Sequence, residues 1–276
     1  MQVGVFAKTF EGNDPFKVLS ACKLNGFDCT QYNMSCSGIG SLPKIISEKV
    51  VMELRDASRS TGISVSAFSA TYNMADPNVE RRSIGRMSFE AIAKCAAFLG
   101  APIVSVCSGS LNIDDKWQSH PDNANSESWF DMCKEFEMLC EIAEKYNILI
   151  GVEPEPGNIV SSATHAAKLL KIFSGGPIGI ILDPANLIED IPSNQHRQVI
   201  NESMELLESK IVLAHAKDRI SNKSIAPPGK GVIDWPHFLQ RLSLSGFDGP
   251  LIAHGITVSE ALETANFLKN ELTCLK

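Results

Sequence analysis

The chain has 276 residues, 44% of them hydrophobic, and carries a formal net charge of −7. An acidic balance argues against a nucleic-acid partner, which needs clustered Lys and Arg opposite phosphates. No apolar run approaches the ~18 residues needed to cross a bilayer, which argues against a membrane partner. The eight cysteines are scattered without a C-x-x-C pair, a pattern of small buried thiols in a reducing compartment. Met1-Gln2-Val3-Gly4-Val5 runs directly into a strand-like segment instead of a basic, then hydrophobic leader, so a cytoplasmic location is expected.

In chain order, strands are predicted at 2–7, 28–33, 63–70, 102–107, 147–153, 177–183, 210–215 and 250–254. Most are short apolar runs rich in Val and Ile, bounded by Gly, Asn or Pro. Apolar residues recur at helical spacing between them: Ile84, Met87, Phe89, Ile92, Cys95, Ala96 and Leu99 in one segment, Trp129, Met132, Cys133, Phe136, Leu139, Cys140 and Ala143 in another. Thr61-Gly62 and Leu99-Gly100 are helix stops, with glycine supplying the left-handed closing residue. Eight strand-then-helix units without a linker or repeat predict an α/β chain with one domain over residues 1–276, a single (β/α)8 TIM barrel. An open dinucleotide-binding sheet would carry G-x-G-x-x-G after its first strand, where Ala7-Lys8-Thr9-Phe10-Glu11-Gly12 stands.

Four of the later strands end in a group able to ligate a metal: Glu153, Asp183, His215 and His254, spaced by about 30 to 40 residues. Active sites of such barrels lie at the C-terminal ends of the strands, so these side chains are expected to converge on one divalent cation. Mixed imidazole nitrogen and carboxylate oxygen suit Mn2+, Zn2+, Co2+ or Fe2+ better than Ca2+ or Mg2+. Glu155 follows Glu153 on the same side of the strand exit, whereas Asp183 before Pro184 also reads as a turn or helix cap. Tyr72, Asn73 and His120, in loops after the third and fourth strands, are candidates for substrate contact together with Glu155, Asn186, Lys217 and Asp218. Residues 226–231, Ala-Pro-Pro-Gly-Lys-Gly, read as a lid or a phosphate-cradling loop. His165, His196 and His237 fall on outer helices and are expected at the surface.

Val152-Glu153-Pro154-Glu155-Pro156, Leu182-Asp183-Pro184-Ala185-Asn186-Leu187, Ala214-His215-Ala216-Lys217-Asp218, Gly229-Lys230-Gly231-Val232-Ile233-Asp234-Trp235 and Gly246-Phe247-Asp248-Gly249-Pro250-Leu251 together resemble the xylose-isomerase-like TIM barrels. That superfamily includes ketose 3-epimerases and the AP endonucleases of family two. The resemblance implies a divalent metal on Glu153, Asp183 and His215. A final Glu ligand would stand where this chain has His254. It implies an isomerase or epimerase that takes a small polyhydroxylated substrate, a sugar, sugar phosphate or cyclitol, through an enediolate, with Glu153 or His254 moving the proton. A dehydratase, an endonuclease-like phosphoesterase and a non-catalytic sugar-binding barrel are the alternatives, and whether the chain forms a homo-oligomer is left open.

Overall fold

A computed structural model describes residues 1–220 and 224–275. The repeating units are β1 (Gln2–Phe6), α1 (Pro15–Leu24), β2 (Cys29–Tyr32), α2 (Glu48–Thr61), β3 (Ser64–Ser69), α3 (Val79–Leu99), β4 (Ile103–Cys107) and α4 (Ser126–Tyr146). They continue as β5 (Leu149–Glu153), α5 (Ala163–Ile172), β6 (Ile178–Leu182), α6 (His196–Leu207), β7 (Ile211–Ala216), α7 (Trp235–Leu244), β8 (Pro250–Ala253) and α8 (Ala261–Cys274). The eight strands form a closed parallel barrel in sequential order, sealed where Val3 of β1 pairs with Leu251 of β8. This is the expected (β/α)8 barrel, with all eight strands found.

Each strand differs from its expected bounds by one or two residues at one or both ends, and two of these shifts have a clear local reason. β1 stops at Phe6 because Ala7–Thr9 turns into a 3-10 helix, and β5 starts at Leu149 because α4 runs to Tyr146 and Asn147 closes it at φ 52°. The helices stop and start on the expected chemistry. Ser47 and Asn78 cap α2 and α3 through backbone N–H groups of the first turn, and Gly62 and Gly100 end the same helices at φ 71° and 72°. In α3, Phe89, Ile92, Cys95 and Ala96 are buried against the barrel, but Ile84 and Met87 are exposed, so the apolar face is narrower than the spacing predicts. All eight cysteines are free thiols and only Cys274 is exposed. Among the described residues no helix is long and apolar enough to cross a membrane.

Inside the barrel, Cys29, Ala67, Ile103, Ile181, Leu213 and Ile252 form a separate apolar layer. Two strands contribute no side chain to it. A Cβ at Gly4 would lie 2.6 Å from both Cys29 Sγ and Ile252 Cδ1, and one at Gly151 would lie 2.9 Å from Ile181 Cδ1. The layer is therefore filled, with glycine where larger neighbours already occupy the axis. Gly4→Ala should lower stability by about 1–3 kcal/mol through overpacking. Urea denaturation checks this, and an unchanged midpoint would contradict a close-packed barrel floor.

Candidate active site

Two residues beyond the apolar layer, the strands change character. Phe6, Gln31, Ser69, Ser105, Glu153, Asp183, His215 and His254 follow Gly4, Cys29, Ala67, Ile103, Gly151, Ile181, Leu213 and Ile252 by two positions, so the period of two keeps them inside the barrel. All of them except Asp183 line a cavity of about 520 Å³, whose upper wall includes Lys8, Asn33, Thr71, Lys116, Trp117, Glu155, Asn186, Lys217 and Arg219. The strands β1 to β4 supply Phe6 and neutral polar groups, and the ends of β5 to β8 supply the ionisable ones.

Glu153, Asp183 and His215 bring one ligand atom each within 4.8 Å of one another. His215 Nδ1 lies 2.9 Å from Glu153 Oε1 and 3.7 Å from Asp183 Oδ2. Its other nitrogen, Nε2, lies 2.8 Å from Gln31 Oε1, while the Gln31 amide nitrogen donates to Ser105 Oγ at 2.9 Å. With the Gln31 oxygen accepting from Nε2–H, Nδ1 is the nitrogen aimed at the carboxylates. Gln31 and Ser105 were not expected in the site. Their signal in the sequence is alternation, since each stands two residues after a small or apolar inward position.

Asp183 divides its two oxygens. Oδ1 accepts from Ala185 N at 2.8 Å and Asn186 N at 3.3 Å, capping a one-turn helix at Pro184–Leu187, so the cap reading of Asp-Pro holds for this atom. Oδ2 is buried without a hydrogen bond of its own, with Lys217 Nζ 2.9 Å away as an ion pair. One imidazole nitrogen and two carboxylates, with ligand atoms this close together, fit a divalent transition metal.

The charges here set one another. Burial works to raise Glu153 and Asp183, but the charge of His215 on the first and of Lys217 on the second outweighs it and holds both carboxyls low. Burial works to lower His215, yet the Glu153 charge and hydrogen bonds to both carboxylates push it up to about 9. Glu155 goes the other way: burial and then the Glu153 charge raise it to about 8.

His254 lies outside the three-atom ligand group. Its ring stacks on His215 with centroids 5.0 Å apart and planes 13° from parallel, and its Nδ1 is buried without a hydrogen bond. Lone pairs in two nearly parallel planes do not converge on one ion, so in this arrangement His254 adds no fourth protein ligand. Burial, then the charges of His215 and Lys217, bring it down to about 4, which keeps the imidazole neutral.

Of the other expected substrate contacts, Glu155, Asn186 and Lys217 line the cavity, and four residues do not. Tyr72 is turned outward, with its hydroxyl donating to Glu135 at 2.6 Å; Thr71 faces the cavity in its place. Asn73 braces the following loop through Ser110 N and O, and His120 accepts from Asp122 N as the cap of a 3-10 turn. Asp218 is fully buried and accepts from the N–H groups of Arg219, Gly229, Gly231 and Ile233 and from Trp235 Nε1. The same bonds occupy the N–H groups of Gly229 and Gly231, so residues 226–231 do not cradle a phosphate through them. His165 is exposed as expected, but His196 is buried, with Nε2 3.0 Å from Ile191 O.

The fold and the site define an α/β barrel with a mixed nitrogen and oxygen centre at the C-terminal ends of its strands. The chain belongs to the xylose isomerase-like TIM barrel family, whose model matches residues 19–271. Among solved structures it is similar to a D-tagatose 3-epimerase-like protein, with 19% identity and a TM-score of 0.79 over 100% of this chain and 98% of the other. The 3-keto-D-glucoside 4-epimerase YcjR from E. coli is similar with 17% identity and a TM-score of 0.74, over 100% and 98%. An IOLI protein with a binding zinc atom matches with 18% identity and a TM-score of 0.75, over 100% and 99%. No curated protein sequence matches significantly.

The raised Glu155 gives a pH test. The folded chain holds this proton more tightly than the unfolded one, whose ordinary value is 4.5, so its contribution is complete below about pH 4.5 and is lost as pH rises toward 8. Glu155→Gln should therefore gain stability over the wild type between pH 5 and pH 8 in the metal-free protein, by about 1–2 kcal/mol after discounting for its partial exposure. Urea melts at the two pH values measure it, and a pH-independent difference would contradict the assignment.

Proposed function

We propose that this protein is a metal-dependent isomerase or epimerase acting on a small sugar, sugar phosphate or cyclitol through an enediolate. The observation that carries the proposal is geometric: Glu153, Asp183 and His215 each bring a ligand atom within 4.8 Å of one another at the strand ends, with a second carboxyl, Glu155, on the same cavity wall. In the metal-free chain Glu153 is held low and Glu155 is raised, which suits the one to accept and the other to donate a proton. Similarity to a D-tagatose 3-epimerase-like protein and to a 3-keto-D-glucoside 4-epimerase supports a sugar substrate.

Glu153, Asp183 and His215 would hold one divalent ion, with Mn2+, Zn2+, Co2+ and Fe2+ all suited to the donor set. When bound, the ion supplies Lewis-acid polarisation of the substrate carbonyl and its neighbouring hydroxyl. The chain's own residues do the rest. Glu153 Oε1 is restrained by His215 and by Asn186 Nδ2 at 3.2 Å, which holds the carboxylate at the cavity wall to accept the carbon-bound proton. Glu155 returns a proton to the reacting unit, and Lys217, anchored on Asn186 Oδ1 at 2.7 Å, stabilises negative charge as it develops on oxygen. His254, uncharged in the same cavity, is the second candidate for proton transfer where the family places a carboxylate.

The protonated Glu155 also favours a second reading, a dehydratase in which the same proton leaves with a substrate hydroxyl as water. Incubation of metal-loaded protein with a ketose and cyclitol panel in D2O separates the two. Deuterium uptake into an isomeric product is expected, and loss of water without an isomer would instead establish the lyase. Glu153→Gln should reduce exchange by at least about 100-fold, and elemental analysis should give roughly one ion per wild-type chain and none in Asp183→Ala. Full exchange in Glu153→Gln, or metal retained by Asp183→Ala, would refute these roles.

A further inference from the structure

The candidate metal centre already contains a cation. Lys217 is 7% exposed, and its Nζ lies 2.9 Å from Asp183 Oδ2 and 2.7 Å from Asn186 Oδ1. An ion that takes Asp183 Oδ2 must share that oxygen with a fixed ammonium. Like charges this close, away from bulk water, repel far more strongly than at a surface.

The carboxylates do not need Lys217 to hold their positions. Asp183 is oriented through its other oxygen by Ala185 N and Asn186 N, and Asn186 is tied independently to Glu153 Oε1 and Pro154 O, both at 3.2 Å. His215 is fixed from behind by Gln31. Removing the ammonium therefore deletes charge while the scaffold around the ligands remains.

We propose that Lys217 is a built-in counter-cation that competes with the divalent ion for Asp183, stabilising the metal-free protein and weakening metal affinity. The inference rests on the metal-dependent reading and deepens it. Without a metal, the Lys217 charge satisfies a buried carboxylate that would otherwise be isolated. With one, the same charge works against the ion, so occupancy follows the supply of free metal instead of being permanent.

The test is chelator competition for Zn2+ with wild type, Lys217→Met and Lys217→Gln, paired with melting of each protein in excess chelator. The glutamine variant, one atom shorter, keeps an N–H donor on the Asn186 side and removes the charge. Both variants should bind Zn2+ at least about tenfold more tightly than wild type and melt at a lower temperature in chelator, with the deficit recovered on Zn2+ addition. A lysine with a purely structural role would lower the melting temperature without tightening zinc. Equal or weaker Zn2+ binding by the folded variants overturns the proposal, as does failure of both to fold even with Zn2+. If wild type and variants alike bind no Zn2+, the metal-dependent reading itself fails; wild-type binding that the variants do not tighten refutes only the role of Lys217.

Discussion

The rest of the site depends on the burial of two ionised carboxylates at the mouth of a close-packed barrel. A carboxylate there is costly unless its charge is met, and Glu153 and Asp183 are met in the metal-free chain by His215 and Lys217. The perturbed groups follow from that pairing. His215 is held protonated above its usual range, and the Glu153 charge, added to burial, keeps Glu155 protonated. The cavity thus has opposite proton affinities two residues apart on one strand exit.

The barrel provides the positioning. Strand periodicity turns the last inward side chain of each strand into the barrel mouth, and the apolar layer below, packed around Gly4 and Gly151, gives these groups a rigid floor. Interactions between strands then fix the site: Gln31 on β2 reaches His215 on β7, and Ser105 on β4 holds Gln31. His254 stands where the resemblance implies a Glu ligand, and a neutral imidazole there means one negative charge fewer. Its ring stacks on His215 and lies outside the group of three residues that could hold a metal.

Much of this was legible in the sequence because it rests on local patterns. Eight strand-like runs, most of them rich in Val and Ile, with helical segments between them specified the barrel, and a ligand-type side chain closing each of four strands located Glu153, Asp183 and His215. Residues whose roles depend on partners far along the chain were less accessible. Gln31 looks like any strand polar residue until its distance to His215, 184 positions later, is known. Tyr72 and Asp218 were expected in the cavity because they follow strand ends. Sequence adjacency does not reveal that one hydroxyl meets Glu135 on α4, or that one carboxylate gathers the backbone of residues 229–233.

The central claim is that Glu153, Asp183 and His215 make one metal centre while His254 stays outside it. Anomalous diffraction at the zinc edge from Zn2+-loaded crystals tests it most directly. The account predicts a single strong peak about 2.0–2.2 Å from His215 Nδ1 and from one oxygen each of Glu153 and Asp183, with the His254 ring still stacked on His215. A peak ligated by His254, or no peak among these three residues, would contradict it.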